Sequence, residues 1–275
     1  ELLQGRPSFE DQLRREIARN GGRAMVFVHG YRNSFDSAVY RMTQIVHDAG
    51  YEGTPVLFSW ASAGRTADYI YDTNSATAAR DALEETLRTV VDAGATRVDI
   101  VAHSLGTWVA METLRQLAIG GDRTLSGRLG DVVLASPDID VDVFKSQMRR
   151  YGKPKEPFLV LTSSDDRALR ISRIVAGGRS RVGDGYYAGD LADLGLVVVD
   201  LSNVSAGDRL NHSRFADNPV IVELLGARLT EDGAATDLTD AIAGLTRGVG
   251  DTLTSAAEIV VTTPFRVLSV VVGDR

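Results

Sequence analysis

The sequence predicts an α/β fold, a mainly parallel sheet with helices on both faces. Short apolar runs of strand length alternate with longer segments of helical periodicity, as expected of strands buried on both sides and joined by crossover helices. The runs end in small or turn-forming residues before the helical pattern resumes. Six strands are visible, and 275 residues with 44% hydrophobic and 24% charged content suffice for one large domain with a substantial core.

In chain order, Phe9, Leu13 and Ile17 recur at helical spacing behind Ser8-x-x-Asp11, which resembles a capping box, and Asn20-Gly21-Gly22 ends that helix. Ala24 to Val28 reads as a buried strand running into His29-Gly30-Tyr31. Ser34 to Ala49 follows as a helix and Pro55 to Trp60 as a strand. Thr66 to Ala93 reads as a long helix, whole or kinked near Thr73–Asn74. A strand ends at Ala102-His103 and a helix runs on to Gly120-Gly121. Asp131–Ser136 and Phe158–Thr162 are strands, with room between them for one small helix around Val141–Arg149. Ala168–Ala176 is helix, Gly177–Gly195 an irregular loop, Leu196–Leu201 the last clear strand, and Pro219–Leu229 a helix with proline in its first turn.

Residues 1–229 form the predicted body, and 230–275 a C-terminal extension. Leu238, Ile242, Leu245, Val249 and Leu253 fit a helical stripe there, and Ile259–Val272 is apolar. The extension is expected to pack on the body or on a partner subunit, as in a homo-oligomer. No apolar run reaches membrane-spanning length. The chain opens at Glu1, which reads as the mark of processing or truncation and leaves cytoplasmic and exported locations both open.

Composition removes several chemistries. A net charge of −7 argues against a nucleic-acid partner. The absence of cysteine excludes disulfides, thiolate metal sites and a Cys nucleophile. No Asp/Glu/His cluster has metal-ligand spacing, and no G-x-G-x-x-G follows a strand, so neither a metal nor a dinucleotide cofactor is expected.

Val98 to Gly106 carries the chemistry. A β-branched strand stops at Ala102-His103, Ser104 sits at the corner, and Gly106 opens a helix. This is the context of a nucleophile elbow, G-x-S-x-G, with Ala102 in place of the first glycine. A serine hydroxyl needs an adjacent base. Of four histidines, His29 and His103 flank the elbow and the early loop, and His47 lies on a helix. His212 remains, in a loop after the last clear strand, where the chain order Ser…Asp/Glu…His places the base. The acid belongs between them at a strand end. Asp166 is favoured, with Asp165, Asp138 and Asp140 as competitors; a helix cap is the plainer reading of Asp165, and turn and cap roles after Pro137 that of Asp138 and Asp140. The oxyanion hole requires two backbone N–H groups, for which Leu105 and Tyr31 are the candidates. Tyr31, Phe35, Trp60, Tyr186 and Tyr187 are candidates for lining a substrate pocket, Phe35 and Trp60 fitting a core role as well.

Val28-His29-Gly30-Tyr31-Arg32-Asn33-Ser34-Phe35, Phe58-Ser59-Trp60, Ala102-His103-Ser104-Leu105-Gly106, Ala135-Ser136-Pro137-Asp138-Ile139-Asp140 and Asn211-His212-Ser213 together resemble the α/β-hydrolase superfamily, and within it a bacterial group of largely uncharacterised, esterase- or lipase-like members. The resemblance covers Phe9 to Leu229. It implies an α/β-hydrolase fold and a Ser-His-Asp hydrolase acting without a cofactor on small esters or related acyl compounds. An acyltransferase or thioesterase with the same triad, or a non-catalytic binding module, are the alternatives. Two departures stand out: Ala61 occupies a position where the group more often has proline, and the two strands that usually open this fold are not visible before Ala24. The short connection between Ser136 and Phe158 implies little or no cap domain and an open or shallow site.

Overall fold

Alternate residues of each central strand point to opposite faces of the sheet, and here both sets are apolar. Ala24, Val26 and Val28 join one buried cluster and Met25 and Phe27 the other. Such strands can lie only in the middle of a covered sheet. In the computed structural model, which describes residues 5–63, 68–204, 210–230 and 256–273, β1 (Arg23–Val28), β2 (Thr54–Phe58), β3 (Arg97–His103), β4 (Leu129–Ala135), β5 (Phe158–Thr162) and β6 (Leu196–Asp200) run parallel. β7 (Ala256–Thr262) and β8 (Val267–Gly273) extend the same sheet antiparallel, in the order β2-β1-β3-β4-β5-β6-β7-β8.

The helices divide between the faces. α1 (Arg6–Arg19), α3 (Tyr69–Asp92), α4 (Gly106–Ile119) and α5 (Val141–Tyr151) send Ile17, Leu87, Leu114 and Phe144 into the first cluster. α2 (Phe35–Asp48), α8 (Arg214–Asp217) and α9 (Pro219–Thr230) send Ile45, Phe215 and Leu225 into the second. Each such fully buried side chain contributes roughly 1.5–3 kcal/mol relative to exposure.

The chain leaves β1 for β2 on one side and returns to β3 on the other. That reversal opens a crevice at the carboxyl ends of β1 and β3, the place where open α/β sheets bind ligands. Val28 pairs with Ala102 at the lip of this crevice, so His29-Gly30 and His103-Ser104 emerge side by side.

Several expectations are amended. α1 starts at Arg6 with Pro7 in its first turn and Gly5 before it, so Ser8 lies inside the helix and does not cap it. The long helix is single, with the Thr73 and Thr77 hydroxyls bonded back to the Tyr69 and Thr73 carbonyls. The 177–195 loop contains a 3-10 turn, Val182–Asp184, and α7 (Ala188–Asp193). Among the described residues no strand precedes β1. The apolar run Ile259–Val272 falls within two paired strands, turning at Thr263–Arg266 around the Thr263 N–H···O Arg266 bond of 2.8 Å. The helical stripe Leu238–Leu253 lies outside the described residues. No helix among the described residues is long and apolar enough to cross a membrane.

Candidate active site

The elbow is built from backbone constraint. Ser104 takes φ 52°, a conformation costing a non-glycine residue of order 1–3 kcal/mol, and α4 starts two residues later. The strained corner is held on both sides. Its N–H donates to the Ala135 carbonyl at the end of β4 (2.9 Å), and its carbonyl accepts from the Thr107 N–H (3.0 Å) and hydroxyl (2.6 Å). A Cβ on Gly106 would lie 2.3 Å from the His29 carbonyl oxygen and 2.5 Å from that of Val28. One on Gly30 would lie 2.8 Å from the Ser104 Cβ. Both glycines are therefore demanded by the close passage of the β1 loop over the elbow.

At the end of β5, Asp166 does two jobs. Its Oδ1 accepts the Leu169 N–H (3.0 Å) and caps α6 (Arg167–Val175), while its Oδ2 accepts from His212 Nδ1 at 2.7 Å. Donation from Nδ1 leaves Nε2 as the basic nitrogen of the ring. His212 and Ser104 line the same cleft.

Asp165, read from sequence as a competing acid or a cap, is not the residue that caps α6, and the carboxylate bonded to His212 Nδ1 is that of Asp166. Asp165 forms a two-pronged ion pair with Arg214 and accepts from the Asn211 amide (2.9 Å) and the Ser163 hydroxyl (2.6 Å). The Arg214 hydrogen bonds hold its carboxyl down at about 2. Residues on both sides of His212 are thereby clamped to the acid loop, and the Arg167 N–H adds a bond to the Leu210 carbonyl (2.9 Å). His103 packs against His212. Its ring lies 4.7 Å from that of His212 and 4.6 Å from Phe215, and its Nε2 is 3.2 Å from the His212 carbonyl oxygen. Burial drives its pKa well below the usual histidine value, so the neutral ring donates Nε2–H to that carbonyl.

The loop after β1 is fastened in the same manner. His29 stacks on Trp60 at 5.3 Å, and its Nε2 accepts the Trp60 backbone N–H (3.1 Å). The Trp60 indole N–H returns a bond to the His29 carbonyl (2.8 Å). Burial lowers the His29 pKa, and the neutral ring offers Nδ1–H to the Gly30 carbonyl at 2.9 Å. Asn33 bonds the Gly30 and Tyr31 carbonyls, both at 3.2 Å. Buried Asp72 on α3 holds Ser62 (2.7 Å), whose Oγ accepts the Arg32 N–H (2.8 Å). The sequence singles out neither Asp72 nor Ser62, since nothing in residue spacing ties α3 to this loop, whereas Asn33 lies within the Val28–Phe35 motif.

The cleft encloses about 360 Å³. Tyr31 lines it, but Trp60 is buried behind His29, and Phe35 and Tyr186 are 64% and 65% exposed at the surface. Tyr187 packs on the core beneath Lys145. These four aromatics do not reach the cleft. Its apolar wall comes instead from Leu169, Ile171 and Val175, because α6 follows the acid loop directly and lies across the crevice. The Pro137–Pro157 connection folds as α5 beside α4, with no residue of α5 in the cleft.

Asp138, a second competing acid, does line the cleft, yet makes no hydrogen bond to His212. Its Oδ1 pairs with buried Arg181 (3.2 Å) and accepts the Ser172 hydroxyl, and its Oδ2 accepts from Tyr69 (3.1 Å). Burial raises its pKa, opposed by Arg181. Asp140 caps α5 through the Asp142 and Val143 N–H groups.

Residues 6–228 match the model of a family described as α/β hydrolases of unknown function (DUF900). The chain belongs to that family. Among solved structures it is similar to lipase B of Aspergillus fumigatus, with TM-score 0.51 and 13% identity over 81% of this chain and 57% of the lipase. It is also similar to an esterase of Pyrobaculum calidifontis, with TM-score 0.45 and 17% identity over 75% of each chain. The α/β hydrolase thus spans little more than half the length of the lipase. A comparison with curated proteins finds no match. Among the described residues of this α/β hydrolase, β7 and β8 lie beyond β6 at one edge of the sheet and β2 forms the other edge.

Proposed function

We propose that this α/β hydrolase is a serine carboxylesterase working through an acyl-enzyme on Ser104, with His212 as base and Asp166 as the acid that orients it. The 2.7 Å bond from His212 Nδ1 to Asp166, in a cleft that Ser104 also lines, carries the reading. His212 Nε2 takes the Ser104 proton as Oγ attacks the ester carbonyl carbon. The oxyanion that forms accepts from the Leu105 and Tyr31 backbone N–H groups, one at the start of α4 and one on the fastened loop. Collapse expels the alcohol, which leaves with the proton from His212, and Oγ keeps the acyl group. Water then enters, gives a proton to Nε2 and attacks the acyl carbon. The acid departs as the proton returns to Ser104. Asp166 remains ionised throughout, stabilising the protonated ring.

The carboxylate of Asp138 is paired with Arg181, and the apolar wall on α6 suits an uncharged acyl arm. Hydrolysis of p-nitrophenyl acetate tests the assignment. Ser104→Ala and His212→Ala are each expected to lose activity by about 10⁶-fold, and the double variant to lose no more than either, since the two act as one unit. Wild-type turnover in Ser104→Ala would refute it.

A further inference from the structure

A second cavity of about 510 Å³ adjoins the catalytic cleft, running along α3 and α4 past Thr73, Asn74 and Trp108. Tyr69 and Val175 line both spaces. Asp138 faces the cleft and Arg181 the groove, and the two meet in the ion pair that passes between them.

Tyr69, the first residue of α3, stands at this boundary, held from three directions. Its hydroxyl donates to Asp138 Oδ2 (3.1 Å), lies 2.9 Å from the Ser172 hydroxyl and accepts from Arg181 Nη2 (3.3 Å). Its ring meets Tyr31 edge-on at 5.6 Å. The residues that fix it come from α6, from the loop after β4 and from the chain before the 3-10 turn, and the proposed proton transfers use none of them. A side chain tied at both its ring and its hydroxyl cannot swing aside without leaving a buried carboxylate and guanidinium short of partners.

We propose that Tyr69 determines acyl specificity: with the Asp138–Arg181 pair and Val175 it walls the groove off from Ser104 and restricts the enzyme to esters of short acyl chains. This rests on the serine-esterase reading and adds the substrate class to it. An acyl arm lying against Leu169, Ile171 and Val175 reaches the phenol ring before the groove, so a longer chain is barred from continuing into that groove.

The test is the ratio of kcat/KM for p-nitrophenyl decanoate to that for the acetate. In the wild type the ratio is expected to be low. Tyr69→Phe keeps the wall and should keep the ratio. Tyr69→Ala joins the two cavities and should raise it about tenfold or more, the scale on which a hydrophobic pocket discriminates chain length. Asn74→Trp, which fills the groove from an exposed position on α3, should reverse that gain in the Tyr69→Ala background. If Tyr69→Ala does not fold, Val175→Ala opens the same wall from an exposed position and should raise the ratio by a smaller amount. An unchanged ratio in a folded opening variant, or a wild type that already turns over decanoate as readily as acetate, would overturn the proposal. Loss of Ser104-dependent acetate hydrolysis would instead count against the esterase reading, so the two failures are distinct.

Discussion

Asp166→Asn is expected to lower kcat by about 10⁴-fold while leaving the protein folded, the loss typical of a triad acid replaced by its amide. Asparagine caps a helix as well as aspartate does, so the bond to the Leu169 N–H survives and α6 stays anchored. What changes is the group facing His212. An amide NH₂ cannot accept Nδ1–H, so the ring moves its proton to Nε2 and has no lone pair for Ser104. Asp138→Asn should behave oppositely. It leaves buried Arg181 without its counter-charge and should cost about 3–5 kcal/mol of stability, with a far smaller loss of kcat, because Asp138 does not bond His212. Steady-state kinetics beside thermal melts of both variants decide the matter, and the reverse ranking would give the acid role to Asp138.

Gly106→Ala should be among the most disruptive single-methyl changes at the described glycines. The added carbon meets two backbone carbonyl oxygens of the β1 loop at 2.3 and 2.5 Å, and neither is a flexible end that can yield. Overpacking of this kind typically costs about 1–3 kcal/mol and sometimes more. Here the displaced segment, Val28–His29, also leads into Tyr31, so activity should fall further than stability alone accounts for. Gly189→Ala on α7, where the new methyl meets nothing, is the matched control and should be close to neutral. Denaturant titration with parallel ester assays would show the difference. Equal stability and activity in the two variants would mean that the elbow and loop are not packed this closely.

The parts of the molecule legible in sequence are those written in local pattern. Ala24–Val28 is apolar on every residue because β1 is covered on both faces, and Gly106 and Gly30 stand where two backbones nearly touch. Asp166, Ser104 and His212 could be singled out because each follows a strand that the pattern marks. What pattern does not carry is which distant residues meet. Asp138 reads as a competing acid until Arg181, 43 positions away, is seen against it, and Asp165 as an acid or a cap until Arg214 is. Residue type points to aromatics for the cleft wall, whereas α6 supplies isoleucine, leucine and valine, since position over the crevice decides what lines it. β7 and β8 were hidden for a related reason: the apolar run Ile259–Val272 fits several structures, and only pairing with β6 selects the strand.

The most direct test of the central claim is labelling with a fluorophosphonate, followed by mass spectrometry of the peptides. A single adduct on Ser104 that disappears in His212→Ala is the expected result. An adduct on another serine, or none on a folded protein, would contradict the account.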